Sequence, residues 1–153
     1  MHLRVAVNLS VKDLYDRDLV TWLDDRLDAW GVDAARLKLE ITESEVMDDP
    51  LLALEVLGRL KKLGVSTSID DFGTGYSSLA YLKHLPIDEL KIYKSFVGNL
   101  VHDANDLVIV RSTIDLSHNL GLRVVAEGVE DFPTLQRLAE LQCDRAQGLF
   151  VSR

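Results

Sequence analysis

Four carboxylates and one amide recur at intervals along the sequence: Asn8, Glu40, the adjacent Asp70 and Asp71, and Glu127. Hard oxygen donors in that number suit Mg²⁺ or Mn²⁺. A zinc set is absent from the composition, because Cys143 is the lone cysteine and His2, His84, His102 and His118 are scattered, as surface histidines are. Two neighbouring aspartates at a strand-to-loop junction can bridge two cations about 4 Å apart, the geometry used for in-line phosphodiester hydrolysis. Lys91 would stand beside them as a positive group, holding a nucleophilic water or stabilising charge that develops on phosphate. Each residue also has an ordinary structural use. A strand-end acid commonly caps a helix or pairs with a base, and Lys91 could simply pair with an acid. The combination of spacings carries the chemical reading, not any single member.

Elements must bring these residues together, and the sequence alternates short apolar runs with amphipathic segments, the pattern of βα units. Strands are expected over 4–9, 37–42, 65–69, 89–92, 123–126 and 147–151. A first helix carries Leu19, Leu23, Leu27 and Trp30 on one stripe; a second opens at Asp48-Asp49-Pro50 and runs through Leu54, Leu57 and Leu60. Two more are expected over 105–120 and 133–141. Three helices end alike, at Trp30-Gly31-Val32, Leu63-Gly64-Val65 and Leu120-Gly121-Leu122, where glycine can take the left-handed cap and the chain turns directly into a strand. Residues 71–84 read as a long loop with at most one short helix. In it, Gly73-Thr74-Gly75 serves a turn rather than a complete phosphate loop, Asp71-Phe72-Gly73 lacks the companions of a kinase metal motif, and Tyr76 and Tyr81 read as packing residues.

The candidate residues fall at the C-terminal ends of successive strands: Asn8, Glu40, Asp70, Lys91, Glu127 and Gln147, separated by 32, 30, 21, 36 and 20 residues. Within 37–42 the odd positions are apolar and the even ones polar. Ser66, Ser68 and Asp70 share a face, as do Lys91 and Tyr93 opposite Leu90 and Ile92. An open doubly wound sheet would bury both faces and favour continuous apolar runs, so this pattern favours a closed parallel barrel with its polar groups at one mouth. A full barrel needs eight strands and typically ~250 residues. Six strands in 153 residues predict an incomplete (β/α)8 barrel, a single truncated domain over 1–153. With 47% hydrophobic residues the chain can bury one core, and 25 acids against 17 Lys and Arg (net charge −8) disfavour DNA or RNA as partner. The single cysteine and the lack of a membrane-length apolar stretch or signal-peptide core predict a cytoplasmic protein.

The segments Val5-Ala6-Val7-Asn8-Leu9-Ser10, Leu39-Glu40-Ile41-Thr42-Glu43-Ser44, Ile69-Asp70-Asp71-Phe72-Gly73-Thr74-Gly75-Tyr76-Ser77-Ser78-Leu79, Leu90-Lys91-Ile92, Val125-Ala126-Glu127-Gly128-Val129-Glu130 and Gln147-Gly148 resemble the EAL-domain cyclic-di-GMP phosphodiesterases, in order and across nearly the whole chain. The resemblance implies a modified (β/α)8 barrel of the EAL kind that hydrolyses cyclic di-GMP to linear pGpG with two Mg²⁺ or Mn²⁺ ions. By motif position it implies Asn8, Glu40 and Asp70 as metal ligands, with Asp71 helping to hold the second ion. Lys91 matches the lysine that contacts the attacking water, and Glu127 the acid at the second metal. Gln147, Glu43 and Glu130 match substrate-binding or loop-support positions, and the 71–84 region matches the family's dimerisation loop, so a homodimer is one expected partnership. A missing N-terminal part or other signalling domains are the others.

Three departures stand out. The Glu-Ala-Leu motif is absent, and with it a metal-ligand glutamate and a phosphate-binding arginine; the two strands not found are the first two of the barrel. Tyr93 stands where the family has Asp, two residues past the lysine. The chain stops at Ser152-Arg153, before the family's Pro-rich ending. These departures predict a phosphodiesterase domain that is inactive as this chain. The alternatives are a non-catalytic module that binds cyclic di-GMP or docks a protein, and an unrelated barrel enzyme using Lys91 for proton abstraction.

Overall fold

The computed structural model describes residues 3–75 and 79–151. Six strands lie side by side in chain order: β1 (Val5–Asn8), β2 (Leu37–Thr42), β3 (Ser66–Phe72), β4 (Glu89–Ile92), β5 (Arg123–Glu127) and β6 (Arg145–Gln147). Helices α1 (Val11–Leu14), α2 (Leu19–Trp30), α3 (Glu43–Asp48), α4 (Pro50–Leu63), α5 (Leu79–Leu82), α6 (Lys94–Asn99), α7 (Ala104–Asn119) and α8 (Phe132–Glu140) connect them. The chain forms two compact units, Met1–Ile69 with Tyr76–Asp88, and Asp70–Gly75 with Glu89–Arg153, so β3 contributes to both.

In the first unit β1 and β2 pair in parallel, with Asn8 opposite Glu40. The alternation expected for 37–42 holds, with Leu39 and Ile41 buried and Lys38 and Glu40 half-buried. Helix α4 begins where the sequence signals it: the Asp49 carboxylate accepts the Leu52 amide at 3.1 Å and Pro50 opens the first turn. It buries Ala53, Val56, Leu57 and Leu60. The α2 stripe is only partly right. Val20 is the buried residue of that helix, and Trp30 is 78% exposed beside the helix-ending Gly31. All four residues of the edge strand β1 are exposed.

The second unit pairs β4 with β5 and β5 with β6, both in parallel. Its core is Ile92, Val97, Leu100, Val110, Ile114, Val124, Ala126, Val129 and Leu138. The last strand is Arg145–Gln147 rather than 147–151, and Gln147 is its final residue. Pairing ends there because Gly148 lies against the backbone of Val129, whose amide donates to the Gln147 carbonyl at 3.1 Å and whose carbonyl accepts from the Phe150 amide at 3.1 Å. The three helix-ending glycines have the positive φ expected, 61° at Gly31, 96° at Gly64 and 72° at Gly121.

Of the histidines, His84 and His102 are exposed, while His118 Nε2 lies 3.0 Å from Asp144 Oδ2. His2 lies outside the described residues, as do Tyr76 and the Ser152-Arg153 end. Tyr81 does not pack as expected; it is 43% exposed on the single-turn helix α5.

Candidate active site

The centre of the second unit's site is Lys91, a buried ammonium on β4 with 4% exposure. Its Nζ lies 2.7 Å from Glu127 Oε1 at the end of β5 and 3.5 Å from Asp70 Oδ2 on β3. The β4–β5 register sets Lys91 opposite Val125, so Glu127, two residues further on, falls on the same face of the sheet. The result is one buried cation bracketed by acids from two different strands.

Asp70 and Asp71 are consecutive, and consecutive strand residues ordinarily point to opposite faces. Asp71 escapes that rule through its backbone, with φ at 54°, a left-handed conformation that aspartate tolerates better than most residues. The Asp71 amide donates to Asp70 Oδ1 at 2.8 Å, and the Asp71 carbonyl accepts from the Thr74 hydroxyl at 2.8 Å, which holds the kink. One carboxylate oxygen each from Asp70, Asp71 and Glu127 consequently lie within 4.8 Å of one another, all half-buried. Strained backbone of this kind concentrates at functional sites.

Burial raises the pKa of Asp71, the charge of Asp70 raises it further, and Lys91 and Lys94 oppose the rise. Burial likewise raises Glu127; the hydrogen bond and charge of Lys91 oppose it, and Asp70 adds to it. In both acids burial, together with the neighbouring Asp70, outweighs the opposing lysine charge and disfavours the ionised form. A hard divalent cation fits the group on three counts: the donors are all oxygen, their atoms are near enough to share an ion, and their partial burial favours added positive charge. Lys91 already supplies one such charge from the protein itself.

Asn8 and Glu40 belong to the first unit, where the β1–β2 register sets them opposite each other. Asn8 is exposed and Glu40 half-buried. Glu43 is the first residue of α3 and is 2% exposed. Gln147 and Glu130 are exposed. Tyr93 departs from expectation. The strand stops at Ile92, and Tyr93 (φ −57°, ψ 134°) is the N-cap of α6, so it does not share a strand face with Lys91. Its ring packs edge-on against Phe96, centroids 6.1 Å apart. Sequence reasoning missed Lys94, the first residue of α6, whose charge acts on Asp71. The tight turn at Gly128 (φ 72°) seats the Glu127 strand end on Lys94, where a Cβ would meet that side chain at 2.7 Å. Its spacing of three from Lys91, just past a strand end, was the available signal.

A family model described as EAL domain matches residues 1–153. The chain belongs to the EAL domain family. The cyclic di-GMP phosphodiesterase NbdA of Pseudomonas aeruginosa is 44% identical over 151 residues, 99% of this chain and 19% of that protein. Among solved structures, the PaMucR phosphodiesterase in complex with c-di-GMP superposes with a TM-score of 0.94 at 43% identity, covering 98% of this chain and 61% of that one. The manganese/cy-diGMP complex of Klebsiella pneumoniae BlrP1 superposes with a TM-score of 0.87 at 34% identity, covering 95% of this chain and 38% of that one. The chain spans about a fifth of the length of the curated relatives it matches. The α/β fold, six parallel strands with helices between them, matches EAL barrel structures over part of their length, in keeping with the incomplete barrel expected from the sequence. Among the described residues, no helix is long and apolar enough to cross a membrane.

Proposed function

We propose that this EAL domain carries the aspartate, glutamate and lysine part of a cytoplasmic, metal-dependent site that hydrolyses cyclic di-GMP to linear pGpG, and that these 153 residues alone do not complete it. The observation that supports this most is the convergence of Asp70, Asp71 and Glu127 oxygens within 4.8 Å around the buried Lys91 ammonium. Asp70, Asp71 and Glu127 would hold Mg²⁺ or Mn²⁺; Asn8 and Glu40 match cation-ligand positions of the family by motif alone. When bound, the cations would acidify a water and withdraw charge from the phosphoryl oxygens. Lys91 orients Glu127 and Asp70 through contacts of 2.7 Å and 3.5 Å, and its buried positive charge would stabilise charge that develops on the phosphate. In the reaction one water oxygen bonds to phosphorus, one phosphorus–ribose oxygen bond breaks, and the released ribose oxygen takes a proton. Gln147, Glu130 and Glu43 serve as substrate-binding or loop-support residues, and residues 71–84 as a homodimer contact.

The sequence contains no Glu-Ala-Leu, so one carboxylate of the family's ligand set is missing. Losing one hard donor weakens cation binding, and Tyr93 replaces a further anion with a neutral phenol. Incubating the chain with cyclic di-GMP and Mg²⁺ or Mn²⁺ should therefore yield no pGpG by chromatography. Steady pGpG formation that disappears in Glu40→Ala would overturn this reading. Tyr93 favours a second reading, a non-catalytic module that binds cyclic di-GMP without any cation. Calorimetry in the presence of a chelator separates the two, because only the second expects binding there.

A further inference from the structure

A second ion pair in the same unit begins two residues below Lys91. Glu89 and Lys91 are both on β4, and residues two apart leave a strand on the same side, roughly 7 Å from each other along it. Glu89 is buried, 1% exposed, and its Oε2 accepts Arg145 Nη1 at 3.4 Å. The sheet register explains the reach. Lys91, Val125 and Arg145 are level across β4, β5 and β6, with Glu127 and Gln147 level two residues above. The guanidinium therefore crosses β5 past the buried Val125 and descends to Glu89. Arg123 stands opposite Glu89 in the register, but it is exposed and its charge acts on Asp144. A buried carboxylate is costly unless it is paired, and Arg145, still 46% exposed, compensates Glu89 without being fully desolvated itself. This face of the unit thus carries one acid above the Lys91 ammonium and one below it, and the ammonium contacts the upper one.

We propose that Arg145 is a positioning residue for the carboxylate site: by compensating Glu89 it leaves Lys91 directed to Glu127 and Asp70. This rests on the reading of Asp70, Asp71 and Glu127 as a cation site. An ammonium on a flexible four-carbon stem settles where negative charge is least compensated, and the acids above and below it on β4 and β5 lie within reach of a side chain of that length. With the guanidinium in place, Glu89 carries less uncompensated charge and the upper acids hold the ammonium. Removing the guanidinium charge reverses that order and draws Lys91 down. The upper carboxylates then lose part of their ammonium and take a divalent cation more tightly.

The test is Mn²⁺ binding to the 153-residue chain, followed by electron paramagnetic resonance, for wild type, Arg145→Gln and Glu89→Gln/Arg145→Gln, with circular dichroism as the check on folding. Arg145→Gln should bind Mn²⁺ about twofold to tenfold more tightly than wild type, the lower part of the coupling found within one ion-pair network. The double variant, which removes the lower charge as well, should return to wild type. Because the effect passes through Lys91, Arg145→Gln should change nothing in a Lys91→Met background. The gain should also persist when NaCl is raised from about 0.1 M to about 0.5 M, where a Debye length of about 4 Å screens a distant surface charge. Equal gains with and without Lys91, or a gain that salt abolishes, assign the effect to long-range charge and overturn the proposal; the salt comparison decides the matter if the Lys91→Met variants do not fold. Affinity that Arg145→Gln leaves unchanged or weakens overturns the positioning role and spares the cation site. No Mn²⁺ binding by wild type or by either variant overturns both.

Discussion

Replacing Lys91 by methionine keeps most of the side-chain volume and removes the charge between Glu127 and Asp70. At an effective dielectric of about 20, the contacts of 2.7 Å and 3.5 Å correspond to roughly 6 and 5 kcal/mol of gross attraction. Most of that offsets the cost of desolvating an ammonium left only 4% exposed. Removing one partner of a buried pair costs about 3–5 kcal/mol, and the lower figure applies here because both acids retain 19% exposure. A loss of about 3 kcal/mol should lower the melting temperature by roughly 6–12 °C for a chain of this size. The variant leaves three half-buried carboxylates without their ammonium, so a divalent cation can occupy their common space more favourably than in wild type. Differential scanning calorimetry with and without 10-fold excess Mn²⁺ reads this out: the deficit should shrink when Mn²⁺ is present. An equal deficit in Mn²⁺ and in chelator would refute the reasoning, because the lost charge would then be unrelated to a cation site.

Burial pushes the Cys143 thiol up to about 11, against 9.0 for an unperturbed thiol, so its thiolate population at pH 8 is about a hundredfold smaller. Alkylation of the native protein at pH 8 should be at least that much slower than after denaturation and should quicken as the pH rises toward 11, followed by mass spectrometry; equal rates in both states would contradict this. Gly31→Ala introduces left-handed strain with no neighbour within 4 Å and should cost about 1 kcal/mol in urea melts. Gly148→Ala drives a Cβ into the Val129 backbone and should cost several times more; the reverse order would show that the contact at Gly148 is dispensable.

Strands 37–42 and 89–92 were legible because alternation and turn residues bounded them, and α4 because Asp49-Pro50 and Gly64 marked its ends. The short helices α1 and α3 went unassigned although Ser10–Asp13 and Thr42–Glu45 form capping boxes, a signal present in the sequence. Tyr93 and the end of β6 were misplaced for a different reason. The strand after Lys91 is cut short where α6 begins, and the one at Gln147 is cut short by the approach of Gly148 to Val129. Such tertiary contacts leave no periodic trace. The same holds within the site. The spacing of Asp70, Lys91 and Glu127 suggested a shared strand-end location, but the left-handed turn at Asp71 that aims a second carboxylate inward depends on Thr74 and on the Asp70 side chain. No residue type announces it.

The central claim is that Asp70, Asp71 and Glu127 together hold a divalent cation. Mn²⁺ binding followed by electron paramagnetic resonance, on wild type and on Asp70→Asn, Asp71→Asn and Glu127→Gln, tests it without requiring turnover. Wild type should bind Mn²⁺, and each amide variant should bind it at least about tenfold more weakly while remaining folded. Mn²⁺ affinity that all three variants leave unchanged would contradict the account.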